Sequence, residues 1–270
     1  MVTVGVFDSG FGGLTVLKEV MDKMPHVSTE YYADNGRNPY GVRPQSEILG
    51  FSRQILDFLA GKGIDLAIIA CNTATAASMP DVKDAYPFPV IGVIGSGARG
   101  AVTATKNKRV GVIATEFTIK SGAYADAIGV LDPGIEVIGQ PCMRLVRLVE
   151  IGNTAGEEAQ AIVSEDLSVF RDKGIDTLVL GCTHFPLLSE LISRAMGPDV
   201  ALVNPAEETA LEAAEVLAVK LDEERGKVGE KGSGDAPRHR FYTSGDPETF
   251  KRLGSLFLGR DIENAERVVF

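Results

Sequence analysis

The sequence predicts an α/β fold of two pseudo-symmetric lobes, each a mostly parallel sheet flanked by helices, with the functional site in the crevice between them. The leading observation is a repeat: Lys62-Gly63-Ile64-Asp65, with Cys71 six positions after the aspartate, returns as Lys173-Gly174-Ile175-Asp176 with Cys182. Each copy contains a short apolar run, which is typical of a strand buried on both faces of a parallel sheet. Each cysteine therefore falls at the carboxyl end of a strand, where open α/β sheets bind ligands.

Constant offsets along the chain extend this repeat. Val4-Gly5-Val6-Phe7 corresponds to Val110-Gly111-Val112-Ile113 at an offset of 106, and Glu30 aligns with Glu136 at the same offset. The two cysteines are 111 positions apart, as are Pro87 and Pro198. We therefore expect an internal duplication, in which residues 1–95 plus 210–270 form the first lobe and residues 96–209 form the second.

Local patterns predict the remaining elements in chain order. A Gly-rich turn follows the first strand and opens a helix, but neither a dinucleotide nor a triphosphate fingerprint is present. Gly226 to Arg238 is predicted to be an exposed loop, and Asp246 is predicted to cap a helix that runs to about Leu258. Strands are predicted at residues 4–7, 30–33, 66–70, 87–94, 178–180, 240–245 and 268–270, and longer helices at 46–58 and 206–225.

Composition limits the classes of function. The net charge of −10 over 270 residues argues against direct binding of nucleic acid. No apolar run of membrane-spanning length occurs, so we expect no membrane span. Three cysteines and no secretion signal favour a reducing cytoplasm. With three histidines and no Cys-x-x-Cys spacing, no metal site is expected.

Two thiols that face one small ligand would support a specific chemistry. A thiolate on one side of a carbon acid can remove its proton while a thiol on the other side supplies one, which inverts the stereocentre without a cofactor. Asp8 and Asp34 are candidates to orient a neighbour of Cys71, and His184 is a candidate to assist Cys182. The alternative is that both cysteines are structural, since free cysteine often packs as a small apolar residue. Uncharged hydrogen-bonding groups lie nearby at Asn72, Thr73, Thr115 and Thr183.

Other polar residues favour simpler interpretations. Asp8 and Ser9 are also typical of a helix cap. Cys142 has no duplicate and is predicted to be a packing residue. His26 and His239 are predicted to be exposed. Glu150 is either a charge on a helix surface or an acid that lines the crevice.

Several motifs resemble the signature blocks of bacterial glutamate racemases. Two of them contain the cysteines: Ala70-Cys71-Asn72-Thr73-Ala74 and the segment from Leu180 to Leu188. The others are the segment from Phe7 to Val16, Pro39-Tyr40-Gly41, the segment from Thr118 to Tyr124, and Thr243-Ser244-Gly245-Asp246-Pro247. They occur in the family's order along nearly the whole chain, so the resemblance is specific.

This resemblance implies a homodimeric, cytoplasmic isomerase that interconverts L- and D-glutamate without a cofactor and supplies D-glutamate for peptidoglycan. It places the paired acid/base cysteines at Cys71 and Cys182; Asp8 and His184 are further catalytic candidates because of their positions near these cysteines. The chain departs from the family pattern at Asn35-Gly36, Gly95-Ser96 and Ala114, which affects loop geometry more than the reaction. The implied substrate-binding residues are Asp8, Ser9, Tyr40, Gly41, Asn72, Thr73, Thr183 and His184.

Two alternatives stay open at this point. Aspartate racemases tend to begin with a Gly-Gly-Met-Gly turn and to carry Glu after the second Cys-Thr, whereas this chain has Phe7-Asp8-Ser9-Gly10 and His184. A racemase fold can also serve a non-catalytic role through a partner such as DNA gyrase. Nothing in the sequence excludes such a second role.

Overall fold

The computed structural model describes residues 1–231 and 236–270, which form two compact units. The first unit comprises Met1–Val93 and Thr209–Phe270, and the second comprises Ile94–Glu208. Each unit is built on its own sheet, and every strand pairing in the described residues is parallel. The predicted α/β class with two parallel sheets is confirmed.

The first sheet has six strands in the order β10-β9-β2-β1-β3-β4, and the second has four in the order β6-β5-β7-β8. The strands of the first sheet are β1 (Thr3–Asp8), β2 (Ser28–Ala33), β3 (Leu66–Ile69), β4 (Val90–Gly92), β9 (His239–Thr243) and β10 (Glu266–Arg267). Those of the second are β5 (Arg109–Ala114), β6 (Glu136–Pro141), β7 (Thr177–Gly181) and β8 (Ala201–Val203).

Helices connect the strands, as parallel pairing requires. They are α1 (Leu14–Lys23), α2 (Gln45–Ala60), α3 (Asn72–Val82), α4 (Val93–Ala104), α5 (Glu116–Lys120), α6 (Ala123–Leu131), α7 (Met143–Glu150), α8 (Gly156–Asp166), α9 (Ser189–Met196), α10 (Pro205–Lys231) and α11 (Pro247–Leu258). Within the described residues, none of these helices has both the length and the apolar character needed to cross a membrane.

Strand register shows how the two sheets repeat one another. Gly5 in β1 pairs with Glu30 and Ala67, and Gly111 in β5 pairs with Ile138 and Leu178. The order β2-β1-β3-β4 therefore returns as β6-β5-β7-β8. The predicted equivalence of Glu30 and Glu136 is wrong by two residues, because the connection from β5 to β6 is longer than that from β1 to β2.

The repeated Lys-Gly-Ile-Asp motif has one structural role in both copies. Gly63 and Gly174 have φ values of +73° and +60°, a conformation that favours glycine. The next residue, Ile64 or Ile175, covers a glycine in the adjacent strand: an ideal Cβ at Gly5 would lie 2.7 Å from Ile64 Cδ1, and one at Gly111 would lie 2.6 Å from Ile175 Cδ1. The motif therefore aligns the strand that carries each cysteine with its central neighbour.

Residues from the end of the chain complete the first sheet. Strand β9 pairs with β2, so that Tyr31 lies beside Phe241. The Tyr31 ring also stacks on Phe250 of α11, with centroids 6.2 Å apart. On the other face of β2, Tyr32 stacks on Phe270 at 5.4 Å. Aromatic packing thus fixes this segment against β2.

Three sequence-based boundaries are wrong. The strand predicted at 87–94 is limited to Val90–Gly92, and α4 begins at Val93, because this short apolar run suits either a strand or a buried helix. The helix predicted to end at residue 225 continues to Lys231, since each of the two glycines in this extension, Gly226 and Gly229, costs a helix only about 1 kcal/mol. The predicted loop is thus shorter at its start, and its residues 232–235 lie outside the described residues. The last strand is Glu266–Arg267, not 268–270.

Candidate active site

Three polar residues follow neighbouring strands at the carboxyl edge of the first sheet. Asp8 is the last residue of β1, Asp34 directly follows β2, and Cys71 lies just beyond β3. The Asp34 amide donates a hydrogen bond of 2.9 Å to the Asp8 carbonyl, which holds these two strand ends together. The predicted clustering of Asp8, Asp34 and Cys71 at one sheet edge is what parallel pairing produces.

Cys71 is the N-cap residue of α3. Its Sγ accepts a hydrogen bond from the Ala74 amide at 3.4 Å, and its thiol lies 3.4 Å from Ser9 Oγ as a donor. Burial, and then the negative charge of Asp8, raise the pKa of the Cys71 thiol to about 12. The Ser9 and Ala74 contacts oppose this shift. In the protein without a ligand, Cys71 is therefore held as a thiol.

Asp8 is a buried carboxylate with one oxygen available to a ligand. Its Oδ2 accepts from the Gly10 amide at 2.9 Å, whereas Oδ1 has no hydrogen-bond partner among the described residues. Burial raises its pKa, and the backbone amides of Gly10, Gly13 and Ser9 oppose that shift. Asp8 does not cap α1, whose N-cap residue is Gly13. An ammonium group would satisfy the unpaired oxygen.

A second buried carboxylate organises the loop after β2. Asp34 is fully buried, and Arg37 Nε lies 2.9 Å and 2.7 Å from its two oxygens. The Tyr40 hydroxyl donates to Oδ2 of the same carboxylate. Burial, followed by the charge of Asp34, raises the pKa of Tyr40, so its hydroxyl stays protonated. Removal of one partner from a buried ion pair costs about 3–5 kcal/mol, so this loop is firmly held.

The second sheet presents an equivalent edge with different chemistry. Thr115, Cys142 and Cys182 follow β5, β6 and β7, at the positions that correspond to Ser9, Asp34 and Cys71. The Cys142 amide donates to the Ala114 carbonyl at 2.9 Å, as the Asp34 amide does to Asp8. Cys142 is fully buried. No carboxylate occupies the place of Asp8, because Ala114 stands there.

His184 is the ionisable group beside the second cysteine. Its Nδ1 lies 3.6 Å from Cys182 Sγ. Although the ring is partly exposed, the protein around it lowers its pKa to about 4 by desolvation, so the imidazole is neutral at pH 7. Cys71 thus neighbours a carboxylate, whereas Cys182 neighbours a neutral imidazole.

The predicted site residues form two groups, one in each unit. In the first unit, Ser9 is half-buried, Asn72 and Thr73 are buried, and Tyr40 and Gly41 lie in the loop after β2. In the second unit, Thr183 is buried between Cys182 and His184. Among the described residues, the structure shows no cluster of three or more side chains that could hold a metal ion.

Two residues outside these groups differ from expectation or resolve an alternative. The prediction that His239 is exposed is wrong, because it begins strand β9, is half-buried and lies 3.0 Å from Thr29 Oγ1. His26 is exposed, as predicted. Glu150 is the exposed last residue of α7, which favours its interpretation as a surface charge.

Sequence reasoning assigned no role to Arg37 or Tyr124. Tyr124 is buried in the second unit: an ideal Cβ at Gly181 would lie 3.0 Å from Tyr124 Cε2, and one at Gly97 would lie 3.2 Å from its hydroxyl. Burial, followed by the charge of Cys182, raises the pKa of Tyr124. Gly97 and Gly181 leave room for the Tyr124 ring near Cys182. Because these residues are far apart along the chain, a single sequence shows no pattern that would reveal this packing.

Comparison with known proteins identifies the class. A family model described as Asp/Glu/hydantoin racemase matches residues 15–213. The chain belongs to this racemase family. The two cysteines at equivalent strand ends therefore lie in a chain of a family whose description names racemases of aspartate, glutamate and hydantoin.

Within the family, the similarity is to glutamate racemases, which confirms the resemblance seen in the sequence motifs. The glutamate racemase of Beutenbergia cavernae is 44% identical over 98% of this chain and 92% of its own length. A crystal structure of a glutamate racemase isoform from Bacillus anthracis superposes with a TM-score of 0.90 at 37% identity, covering 100% of this chain and 98% of the other. The Francisella tularensis enzyme, crystallised with D-glutamate, gives 0.87 at 36% identity, covering 99% and 97%.

Proposed function

We propose that this protein is a glutamate racemase that interconverts L- and D-glutamate, with Cys71 and Cys182 as the two acid/base residues. One observation carries the proposal: Cys71 and Cys182 occupy equivalent positions after the equivalent strands β3 and β7 of two parallel sheets. The full-length similarity to glutamate racemases supports the choice of substrate.

The reaction needs one proton removed and one supplied. A thiolate on one face of the α-carbon removes the α-hydrogen as a proton. The electron pair of the broken C–H bond stays on the carbon, which becomes a carbanion. The thiol on the opposite face then donates its proton to that carbon. After one turnover the first cysteine is a thiol and the second a thiolate, so the reverse reaction begins from the product state.

The two cysteines have different neighbours, which suits them for different halves of the reaction. Asp8 raises the pKa of Cys71, and a substrate ammonium bound at Asp8 Oδ1 would neutralise that charge and ease deprotonation of Cys71. Neutral His184 beside Cys182 can accept or donate a hydrogen bond without adding charge. Substrate binding and thiol activation are thereby coupled.

We propose that the carboxylates of glutamate are bound by uncharged donors. Arg37, a cation in the loop that precedes Tyr40, already forms an ion pair with Asp34. The remaining candidates carry hydroxyl, amide or backbone N–H donors. They are Ser9, Tyr40, Gly41, Asn72, Thr73 and Thr183.

The cellular setting follows from the same resemblance. We infer that the enzyme works in the cytoplasm, supplies D-glutamate for peptidoglycan, acts as a homodimer and needs no added cofactor. No disulfide joins Cys71, Cys142 and Cys182, which is the state that a reducing compartment favours.

Circular dichroism of the substrate tests the proposal directly. Protein dialysed against a chelator, with no cofactor added, should bring separate solutions of L- and D-glutamate to the same zero signal and leave aspartate unchanged. In ²H₂O the newly formed enantiomer should carry deuterium at the α-carbon, because its proton comes from a solvent-exchanged thiol.

Other results would favour the alternatives. Racemisation of aspartate at a comparable rate would assign a different substrate. Binding of glutamate without any change in optical signal would leave a non-catalytic, partner-binding role for the fold.

A further inference from the structure

We propose that Arg37 is a positioning residue that sets the substrate affinity of this site by holding the Tyr40–Gly41 segment through Asp34. Arg37 would not contact the substrate. This inference rests on the proposed function for the identity of the substrate, since Tyr40 and Gly41 are proposed substrate-binding residues.

The contacts of Arg37 engage two of its three guanidinium nitrogens, Nε and NH1, whereas the buried NH2 has no hydrogen-bond partner among the described residues. Nε faces both oxygens of the fully buried Asp34, at 2.9 Å and 2.7 Å, and NH1 donates to Gln54 Oε1 at 2.6 Å. The guanidinium carbon lies 4.0 Å from the centroid of the Phe51 ring. Such a stacked, forked arrangement suits arginine and cannot be reproduced by lysine.

The same groups fix Tyr40. Its hydroxyl donates to the Asp34 oxygen that Arg37 approaches most closely, and its ring packs on Phe51 with centroids 5.5 Å apart. The Arg37 carbonyl also accepts a hydrogen bond of 2.9 Å from Arg43 Nε, just after Gly41. Arg37 therefore contacts the polar and the aromatic support of the predicted substrate loop.

The buried Asp34 carboxylate, which accepts from Arg37 and Tyr40, explains why an arginine lies here although it does not bind the substrate. The loop needs a rigid anchor, and Asp34 supplies one only while its charge is balanced. Arg37 balances that charge from the outside, with a side chain that is 20% exposed, and Tyr40 is left on the inner side. A misplaced Tyr40 and Gly41 would weaken substrate binding before they affected proton transfer.

The experiment uses Arg37→Lys and Arg37→Gln in the full-length protein. Arg37→Lys keeps a positive charge beside Asp34, so its melting temperature should stay close to wild type. Its KM for glutamate should nevertheless rise roughly 10-fold, with kcat changed less than about 3-fold, because one ammonium group cannot replace the fork and the stack. Parallel changes in melting temperature and KM would mean a merely structural role and overturn the proposal.

A second pair of variants covers the case in which Arg37→Gln does not fold. The double variant Asp34→Asn with Arg37→Gln removes both charges and should fold, while its KM stays raised at least 10-fold. The matched control is Arg53→Gln in α2, the helix that carries Phe51 and Gln54. Arg53 is exposed and pairs with Asp81 at 3.5 Å, so its replacement should leave KM unchanged. A double variant with wild-type KM would contradict the positioning role.

Isothermal titration with D-glutamate separates this inference from the proposed function. It is carried out with Cys71→Ser/Cys182→Ser protein, which cannot turn over, with and without Arg37→Lys. An at least 10-fold weaker Kd in the presence of Arg37→Lys supports the positioning role whatever the racemase assay shows. Equal Kd values overturn it even if the wild-type protein racemises glutamate.

Discussion

Gly13 lies so close to Asp8 that an ideal Cβ at Gly13 would stand 2.4 Å from the Asp8 Cβ. The same Cβ would be 3.0 Å from the Ala70 side chain. Gly13 has φ −62° and ψ −12°, which any residue can adopt, so only the close approach requires glycine. The first turn of α1 thereby packs directly against Asp8 and fixes the position of its carboxylate beside Cys71.

We expect Gly13→Ala to displace Asp8 and cost about 1–3 kcal/mol of folding free energy. Activity should fall more than stability, because the shift occurs at the carboxylate that neighbours Cys71. Urea unfolding and the circular dichroism assay measure the two effects. Gly50→Ala is the control, since an added Cβ there meets nothing within 4 Å. Wild-type activity in Gly13→Ala would show that Asp8 placement does not matter.

Replacement of either cysteine should stop racemisation. Cys71→Ala and Cys182→Ala each remove the acid or the base, and the serine variants should fold yet turn over far more slowly because a hydroxyl is a much weaker acid. Loss of HCl from a β-chloro analogue of glutamate needs only the deprotonating thiolate. Each single variant should therefore retain elimination from one enantiomer and lose it from the other.

The pattern across the two variants is the decisive result. If both lost elimination from the same enantiomer, or if either racemised at the normal rate, the assignment of one cysteine to each face would be wrong. Cys142→Ala serves as the control, because Cys142 follows the strand that corresponds to β2 and not to β3.

Asp8→Asn should make the Cys71 thiol more acidic. The negative charge of Asp8 is the second cause, after burial, of the raised pKa of Cys71, so its removal should lower the alkylation midpoint by roughly one pH unit. Iodoacetamide labelling at several pH values, followed by peptide mass spectrometry, measures this midpoint. An unchanged midpoint would mean that Asp8 carries no charge near Cys71.

His184 should make the fold less stable at acidic pH. Its pKa is about 4 in the folded protein against 6.5 for an ordinary histidine, so between these values the unfolded chain binds a proton that the folded protein does not. Stability is therefore complete above about pH 6.5 and declines as the pH falls towards 4.

The variant His184→Gln should lose this part of the pH dependence. Urea unfolding at intervals from pH 4 to 7 provides the comparison, and His26→Gln, at an exposed position, is the control. Identical slopes for His184→Gln and wild type would show that His184 titrates normally in the folded state.

Strands and the duplication were predictable from the sequence because buried parallel strands leave apolar runs with glycine before them. The environment of Arg37 was not predictable, because a cation three residues after Asp34 in a loop can turn either towards a ligand or towards the Asp34 carboxylate. The predicted exposure of His239 was wrong for a related reason: β2, the strand that pairs with β9, lies about 210 positions away along the chain. Long-range pairing of this kind leaves no local pattern.

The pairing of β9 with β2 also determines the order in which the two units can finish folding during synthesis. Residues 94–208 contain every strand of the second sheet, so that unit has all of its partners as soon as it leaves the ribosome. The first unit must wait for His239–Thr243 and Phe250, although its first strand is made at the very start. Until then Tyr31 lacks its aromatic neighbours, and β2 is an uncovered strand edge. The segment translated first is thus the last to reach its final state.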